Sequence, residues 1–235
     1  MRLIFIRHGK PDYEKDCLTP NGIIQAQSTA QRLKSEPIKA VFSSPMGRAM
    51  ETASYTAKIH GLDITPLDFM HEINWGDSEK APENTEKLKY DGHPWTLSCE
   101  LLAQNPEYAE NDSWKSHHFF KDNVCMDYYE KISLAFDKFL AELGLIRKGK
   151  SYFCEKQNND TVALFAHGGS GSIMFSHVLN LPFPFVLAAM PYGVCSVSII
   201  ELYAEEGGIS IPRLELFNDM NHIKSVKQEK LKFEK

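Results

Sequence analysis

Two apolar runs in this chain end in the same way. Leu3-Ile4-Phe5-Ile6 runs into Arg7-His8-Gly9, and Thr161-Val162-Ala163-Leu164-Phe165-Ala166 runs into His167-Gly168-Gly169. Uninterrupted stretches of β-branched and aromatic residues read as strands buried on both faces, as a parallel sheet requires. A glycine directly after each histidine lets the backbone turn sharply and lets a ligand approach closely. Open α/β sheets bind their ligands beyond the carboxyl ends of the strands. If these two strands are sheet neighbours, their histidines sit side by side at such a place.

The segments between them fit the same plan. Thr19 predicts a helix cap with Pro20 in the first position, followed by Ile23, Ala26, Ala30 and Leu33 as one apolar stripe. Ala40-Val41-Phe42 predicts a further strand, which completes a strand–helix–strand unit with a right-handed crossover. Ser44-Pro45 predicts a second cap and a helix through Ile59 with Arg48 in its first turn. Free N–H groups and the positive dipole end there would add to the guanidinium and favour an anion.

From about residue 75 to 130 the character changes. This stretch holds Trp75, Trp95 and Trp114, many charges and no strand-like alternation. Helices are predicted over Trp95–Gln104 and Tyr128–Leu143, the second core-facing through Ile132, Phe136, Phe139, Leu140 and Leu143, and the stretch before it is expected to be a cap insertion, its aromatics mainly packing beneath it. Lys148–Asp160 reads as a polar loop, Ser172–Leu179 as a helix, and Ser196–Tyr203 with Ile209–Phe217 as an edge hairpin. The charged end, Lys224–Lys235, is expected to be mobile.

A net charge of −5 argues against nucleic acid or an anionic membrane surface as the main partner. Any site for an anionic substrate must therefore be a local basic pocket. No apolar run is long enough to span a bilayer, and the apolar start is too short for a secretory signal. The five cysteines are scattered without a C-x-x-C pair, which suits free thiols in a reducing compartment. A cytoplasmic location is the expectation.

Arg7-His8-Gly9 after an N-terminal strand resembles the first motif of the histidine phosphatase superfamily, also called phosphoglycerate mutase-like. Ser44-Pro45-Met46-Gly47-Arg48-Ala49-Met50-Glu51-Thr52-Ala53 is similar to that family's S-x-x-x-R-x-x-x-T-A segment. Glu72 in His71-Glu72-Ile73-Asn74-Trp75-Gly76-Asp77 looks like its acid segment, His167-Gly168-Gly169 matches its second histidine motif, and Asn218-Asp219 before His222 is similar to its closing stretch. The resemblance implies an α/β fold, a three-layer α/β/α sandwich around a mostly parallel mixed sheet. It implies one domain over residues 1–235 with an inserted helical cap.

It also implies a set of roles. His8 would be the nucleophile that becomes phosphohistidine, and Glu72 the general acid and base. Arg7, Arg48, His167 and the backbone of Gly168 would bind phosphate, since phosphoryl transfer asks mainly for electrostatic placement. Two nearby guanidiniums would also keep His8 unprotonated near neutral pH. A small phosphorylated substrate is expected, with no cofactor and no metal. His71, His93, His117 and His118 lack the spacing of zinc ligands, although His117 and His118 are candidates to reach a substrate.

Within the family the sequence departs from the glycolytic mutases. They begin R-H-G-x-S/T-x-x-N, where this chain has Lys10-Pro11-Asp12-Tyr13-Glu14, and no Arg-Arg pair stands between Arg48 and Arg147. Arg7-His8-Gly9-Lys10-Pro11 with Leu18-Thr19-Pro20-Asn21-Gly22 is closer to the phosphatase branch, which includes α-ribazole phosphatase-like members. Metal-independent phosphomonoester hydrolysis is the expected activity. Mutase-type transfer and plain phosphate binding are the alternatives, and oligomeric state stays open.

Overall fold

The structure is a computed structural model that describes residues 1–73, 94–121 and 123–223. Residues 74–93, with Trp75 and His93, and the charged end 224–235 lie outside the described residues. In chain order the strands are β1 (Arg2–Arg7), β2 (Pro11–Asp12), β3 (Cys17–Leu18), β4 (Ile38–Ser43), β5 (Ile64–Pro66), β6 (Leu145–Lys148), β7 (Ser151–Cys154), β8 (Thr161–Ala166), β9 (Val197–Glu201), β10 (Ile209–Ser210) and β11 (Arg213–Asp219). The α-helices are α1 (Pro20–Leu33), α2 (Gly47–His60), α3 (Pro94–Gln104), α4 (His118–Lys121), α5 (Cys125–Glu142), α6 (Gly168–Leu179) and α7 (Phe183–Ala189).

Two compact units make up the chain. Of the described residues, the first takes Met1–Glu72, Phe136–Gly171 and Tyr192–Ile223. Its six-stranded sheet has the order β11-β9-β1-β8-β4-β5. β1, β8, β4 and β5 run parallel, while β9 and β11 add antiparallel at one edge. All six residues of β8 and the inner four of β1 are buried, which is why both read as unbroken apolar runs. On one face Ile4, Ile6, Val41, Ala163 and Phe165 pack with Leu33 of α1 and with Ala53 and Ala57 of α2. On the other, Phe42 meets Phe139 of α5 edge-on, with ring centroids 4.9 Å apart. Each buried Ile, Val, Leu or Phe among them contributes roughly 1.5–3 kcal/mol relative to exposure. The mostly parallel mixed sheet with helices on both sides is the architecture the sequence predicts.

Four local expectations are corrected. Thr19 does cap α1, its Oγ1 accepting from the Gly22 N–H at 3.1 Å. Ser44 does not lead α2 in the same way: the helix starts at Gly47, and its N-cap Met46 makes no side-chain cap. The buried Ser44 hydroxyl instead reaches His167. The second correction is α6, which begins at Gly168, four residues earlier than Ser172, so that His167 immediately precedes its first turn. Its glycines serve packing: a Cβ on Gly171 would lie 2.3 Å from Phe5 Cζ and 2.5 Å from Tyr192 Oη.

The third concerns 148–160, where Ser151–Cys154 is β7, paired antiparallel with β6, which ends at Lys148. Four residues, with Tyr152 and Cys154 buried and Ser151 and Phe153 half-buried, are too short a run to stand out among polar neighbours. The fourth is the edge hairpin. Ile209 and Ser210 pair with β7 in a separate three-stranded sheet, and only the chain from Arg213 joins β9.

The second unit takes Ile73–Ala135 and Ser172–Pro191. Trp114 is fully buried at its centre, with ring centroids 5.3 Å from Phe120, 5.4 Å from Tyr129 and 5.9 Å from Phe183. The aromatic richness of this stretch is therefore packing where the structure describes it. No helix among the described residues is long and apolar enough to cross a membrane.

Candidate active site

Strand pairing in the first unit brings the motifs together. β1 lies beside β8 with Arg7 opposite Ala166, and the His8 N–H donates to the Ala166 carbonyl at 2.9 Å. The two histidines that follow these strands face each other with ring centroids 5.1 Å apart. β4 flanks β8 on its other side, and the Ser44 N–H donates to the Phe165 carbonyl at 2.8 Å. Arg48, in the first turn of the helix after β4, thereby joins the pair.

His8 is almost wholly buried, and its Nδ1 lies 2.7 Å from the Gly9 carbonyl. A carbonyl can only accept, so Nδ1 carries the proton and Nε2 keeps its lone pair. Burial, and then the charge of Arg7, push the His8 pKa down to about 3. At neutral pH the ring is uncharged and its tautomer is fixed. His167 is neutral too, its pKa pushed down to about 2 by burial first and then by His8, Arg48 and Arg7. Its Nε2 lies 2.7 Å from Ser44 Oγ, which also accepts from the Met46 N–H at 3.3 Å. Ser44 Oγ can donate its proton to Nε2, an arrangement that places the N–H of His167 at Nδ1.

Both arginines are held by one end. Arg7 Nη1 donates to the Tyr192 carbonyl at 2.9 Å, and Arg48 Nη1 donates to Asp16 Oδ1 at 2.5 Å. Arg7 Nε, Arg48 Nε and His167 Nδ1 are buried without a hydrogen-bond partner. Buried polar atoms are nearly always partnered. Three such nitrogens around one neutral imidazole form a donor set that a multi-oxygen anion satisfies, and each guanidinium offers its Nε–Nη2 edge for a bidentate contact.

Glu72 sits at the start of α6. Its Oε1 accepts from the N–H groups of Gly169 and Ser170 at 2.9 and 3.1 Å, the place where a helix favours negative charge. The Glu72 N–H donates to Met46 Sδ at 3.4 Å, two residues before Arg48. The Gly168 carbonyl accepts from Tyr192 Oη at 2.6 Å. All six residues singled out from the sequence, Arg7, His8, Arg48, Glu72, His167 and Gly168, thus gather in the first unit.

Around them lies a brace that the sequence only partly announces. Thr52 Oγ1 accepts from the Gly9 N–H at 3.0 Å and donates to the Arg48 carbonyl at 2.7 Å. His222 Nε2 meets the Cys195 carbonyl at 3.0 Å, and the Cys195 N–H donates to the Arg7 carbonyl at 2.9 Å. Asn218 Oδ1 accepts from the Gly193 N–H at 3.0 Å. The closing motif therefore supports the first from behind. Ser44, Tyr192 and Asp16 were not foreseen as part of this environment. The start of α2 also differs from expectation, because Asp16 Oδ2 already takes the Gly47 N–H at 2.6 Å.

His117 and His118 stack on each other in the second unit with centroids 4.3 Å apart. Among the described residues no group of three or more His, Cys, Asp or Glu is placed to hold a metal ion.

Residues 3–112 match the model of the histidine phosphatase superfamily, branch 1. The chain is 28% identical over 185 residues to a 2,3-bisphosphoglycerate-dependent phosphoglycerate mutase of Thermoplasma acidophilum, covering 73% of this chain and 85% of that one. It is 30% identical over 104 residues to a probable phosphoglycerate mutase of Photorhabdus laumondii, covering 40% of this chain and 47% of the relative. Among solved structures, phosphoserine phosphatase of Entamoeba histolytica with 3-phosphoglyceric acid superposes with a TM-score of 0.61 at 21% identity, covering 94% of this chain and 98% of that one. A mycobacterial glucosyl-3-phosphoglycerate phosphatase with inorganic phosphate gives the same TM-score, identity and coverage. These superpositions bear on the fold.

Proposed function

Since the chain belongs to the histidine phosphatase superfamily, as an enzyme of the phosphatase or mutase kind, we propose that it is a metal-independent phosphomonoesterase acting on a small organic phosphate through a phosphohistidine on His8. The observation that carries this reading is the neutral His8 Nε2 among three buried, unpartnered nitrogens of Arg7, Arg48 and His167.

In this reading the two Nε–Nη2 edges and the His167 N–H take the equatorial phosphate oxygens, where the transferring group spreads its charge. His8 Nε2 attacks phosphorus while the bond to the leaving oxygen breaks, and Glu72 in its acid form gives that oxygen a proton. A phosphate dianion beside Glu72 favours the acid form. Water then attacks phosphorus, Glu72 takes its proton, and the N–P bond breaks to release phosphate and neutral His8. The substrate is proposed to be a small phosphorylated metabolite, neither nucleic acid nor membrane.

An aryl phosphate assayed in excess chelator, beside a His8→Ala variant, tests this. Hydrolysis that resists the chelator and vanishes in the variant is the expected result. Equal activity in the variant, or activity that needs added metal, overturns it.

Similarity to the Thermoplasma mutase supports a second reading, in which the phosphoryl group passes to another hydroxyl. Lys10–Glu14 in place of the mutase start, and the lack of an arginine pair between Arg48 and Arg147, weigh against it. Offering 3-phosphoglycerate to enzyme labelled from 2,3-bisphosphoglycerate separates the two: hydrolysis gives free phosphate, transfer gives labelled bisphosphoglycerate.

A further inference from the structure

The turn between β2 and β3 lies against the phosphate-binding arginine. Asp16 has a left-handed backbone, with φ at +48°, a conformation that asparagine and aspartate tolerate better than most residues. There its carboxylate takes donors from α2. Oδ2 accepts the Gly47 N–H at 2.6 Å, Oδ1 accepts Arg48 Nη1 at 2.5 Å, and the Arg48 backbone N–H adds to the pull that lowers the carboxyl pKa. Tyr13 adds its ring, 5.5 Å from the Arg48 guanidinium carbon.

The turn and the helix are in close contact. A Cβ on Gly47 would lie 2.1 Å from the Asp16 carbonyl oxygen, so only glycine admits the approach. α2 has no side-chain cap of its own, and Asp16 supplies one from a distant part of the chain. Arg7 is held in the same manner by Nη1, in its case on the Tyr192 carbonyl. In both arginines the anchor takes the far nitrogen and leaves the Nε–Nη2 edge for the anion.

We propose that Asp16 is a positioning residue: it caps α2 and fixes Arg48 by Nη1 so that the opposite edge of the guanidinium meets the phosphate. This rests on the phosphate-binding reading of the site. A carboxylate beside an anion site has an opposing electrostatic effect, since its charge repels phosphate. The two effects give opposite signs, and the sign is measurable.

The test is calorimetric titration of inorganic phosphate into wild type, Asp16→Ala, Arg48→Ala and the double variant, each first checked by thermal melting. Positioning predicts about tenfold weaker binding in Asp16→Ala and less than about twofold further loss when the change is made in the Arg48→Ala background, because coupled residues are not additive. If Asp16→Ala does not fold, Asp16→Asn keeps the left-handed backbone accessible and can still accept from Gly47, and a smaller loss is expected there. Unchanged or tighter binding in the single variant overturns the proposal, as does an equal loss without Arg48. A wild type that binds no phosphate overturns the functional reading and this inference with it, whereas binding by wild type with no effect of Asp16 overturns this inference alone.

Discussion

The loops after β1 and β8 start from the same sequence plan and end with different chemistry. After β1, His8 closes on its own neighbour, its Nδ1 proton held by the Gly9 carbonyl, and the loop then leads into a short hairpin. After β8 the chain passes directly into α6, and His167 turns its Nε2 to Ser44. One ring is left with a bare nitrogen and the other, when Ser44 donates to it, with a bare N–H. The helix start beside His167 gathers Glu72, while the loop beside His8 is tied to α2 through Thr52. A strand ending in histidine and glycine does not by itself decide whether that histidine attacks or donates. The hydrogen bond on its other ring nitrogen does.

The comparison can be broken most severely at His8. Replacing it with alanine removes the attacking nitrogen, and kcat on an aryl phosphate should fall by about 10⁴-fold or more, as when other nucleophiles are deleted. His167→Ala removes a donor and should cost about 10²–10³-fold in kcat, the usual scale for a group stabilising transition-state charge. Equal losses in steady-state assays of the two variants would erase the distinction drawn here.

Ser44→Ala sharpens it. Without the hydroxyl, His167 loses the partner that keeps its proton on Nδ1, and kcat/KM should drop by about tenfold with the melting temperature nearly unchanged. Rescue by Ser44→Thr, which restores a hydroxyl, would assign the effect to the hydrogen bond. Failure of that rescue in an otherwise folded protein would assign it to packing.

A separate effect is on stability against pH. His8 and His167 are neutral when folded, with pKa values pushed to about 3 and about 2, while an unfolded histidine titrates near 6.5. Between those limits the unfolded chain binds more protons, so stability is full above about pH 6.5 and falls as pH drops toward 3. Melting scans from pH 7 to 4 should show this decline, and His167→Asn, which has no titrating group there, should show a shallower one. An equal slope in the variant would mean that His167 is not held neutral by the fold.

Much of this was legible in the chain. β8 could be read residue for residue because burial on both faces leaves no polar position to blur it. Arg7, His8, Arg48, Glu72, His167 and Gly168 could be listed in advance because each stands in a motif with its own spacing. What escaped depends on distant contacts. Ser44-Pro45 looks like a local cap, yet the hydroxyl serves a ring 123 residues further on, and α2 takes its cap from Asp16 across 31 residues. β7 looks like loop because only Tyr152 and Cys154 of its four residues are buried. The glycines before and at 171 look like a helix breaker, and nothing local reveals that Phe5 and Tyr192 require the space.

The central claim is that His8 Nε2 forms a bond to phosphorus. Incubation with a ³²P-labelled aryl phosphate, an alkaline quench and mass mapping of the labelled peptide test it directly. The account predicts base-stable, acid-labile label on His8 that turns over to free phosphate and is absent from His8→Ala. Turnover without such label, or label that persists in His8→Ala, would contradict it.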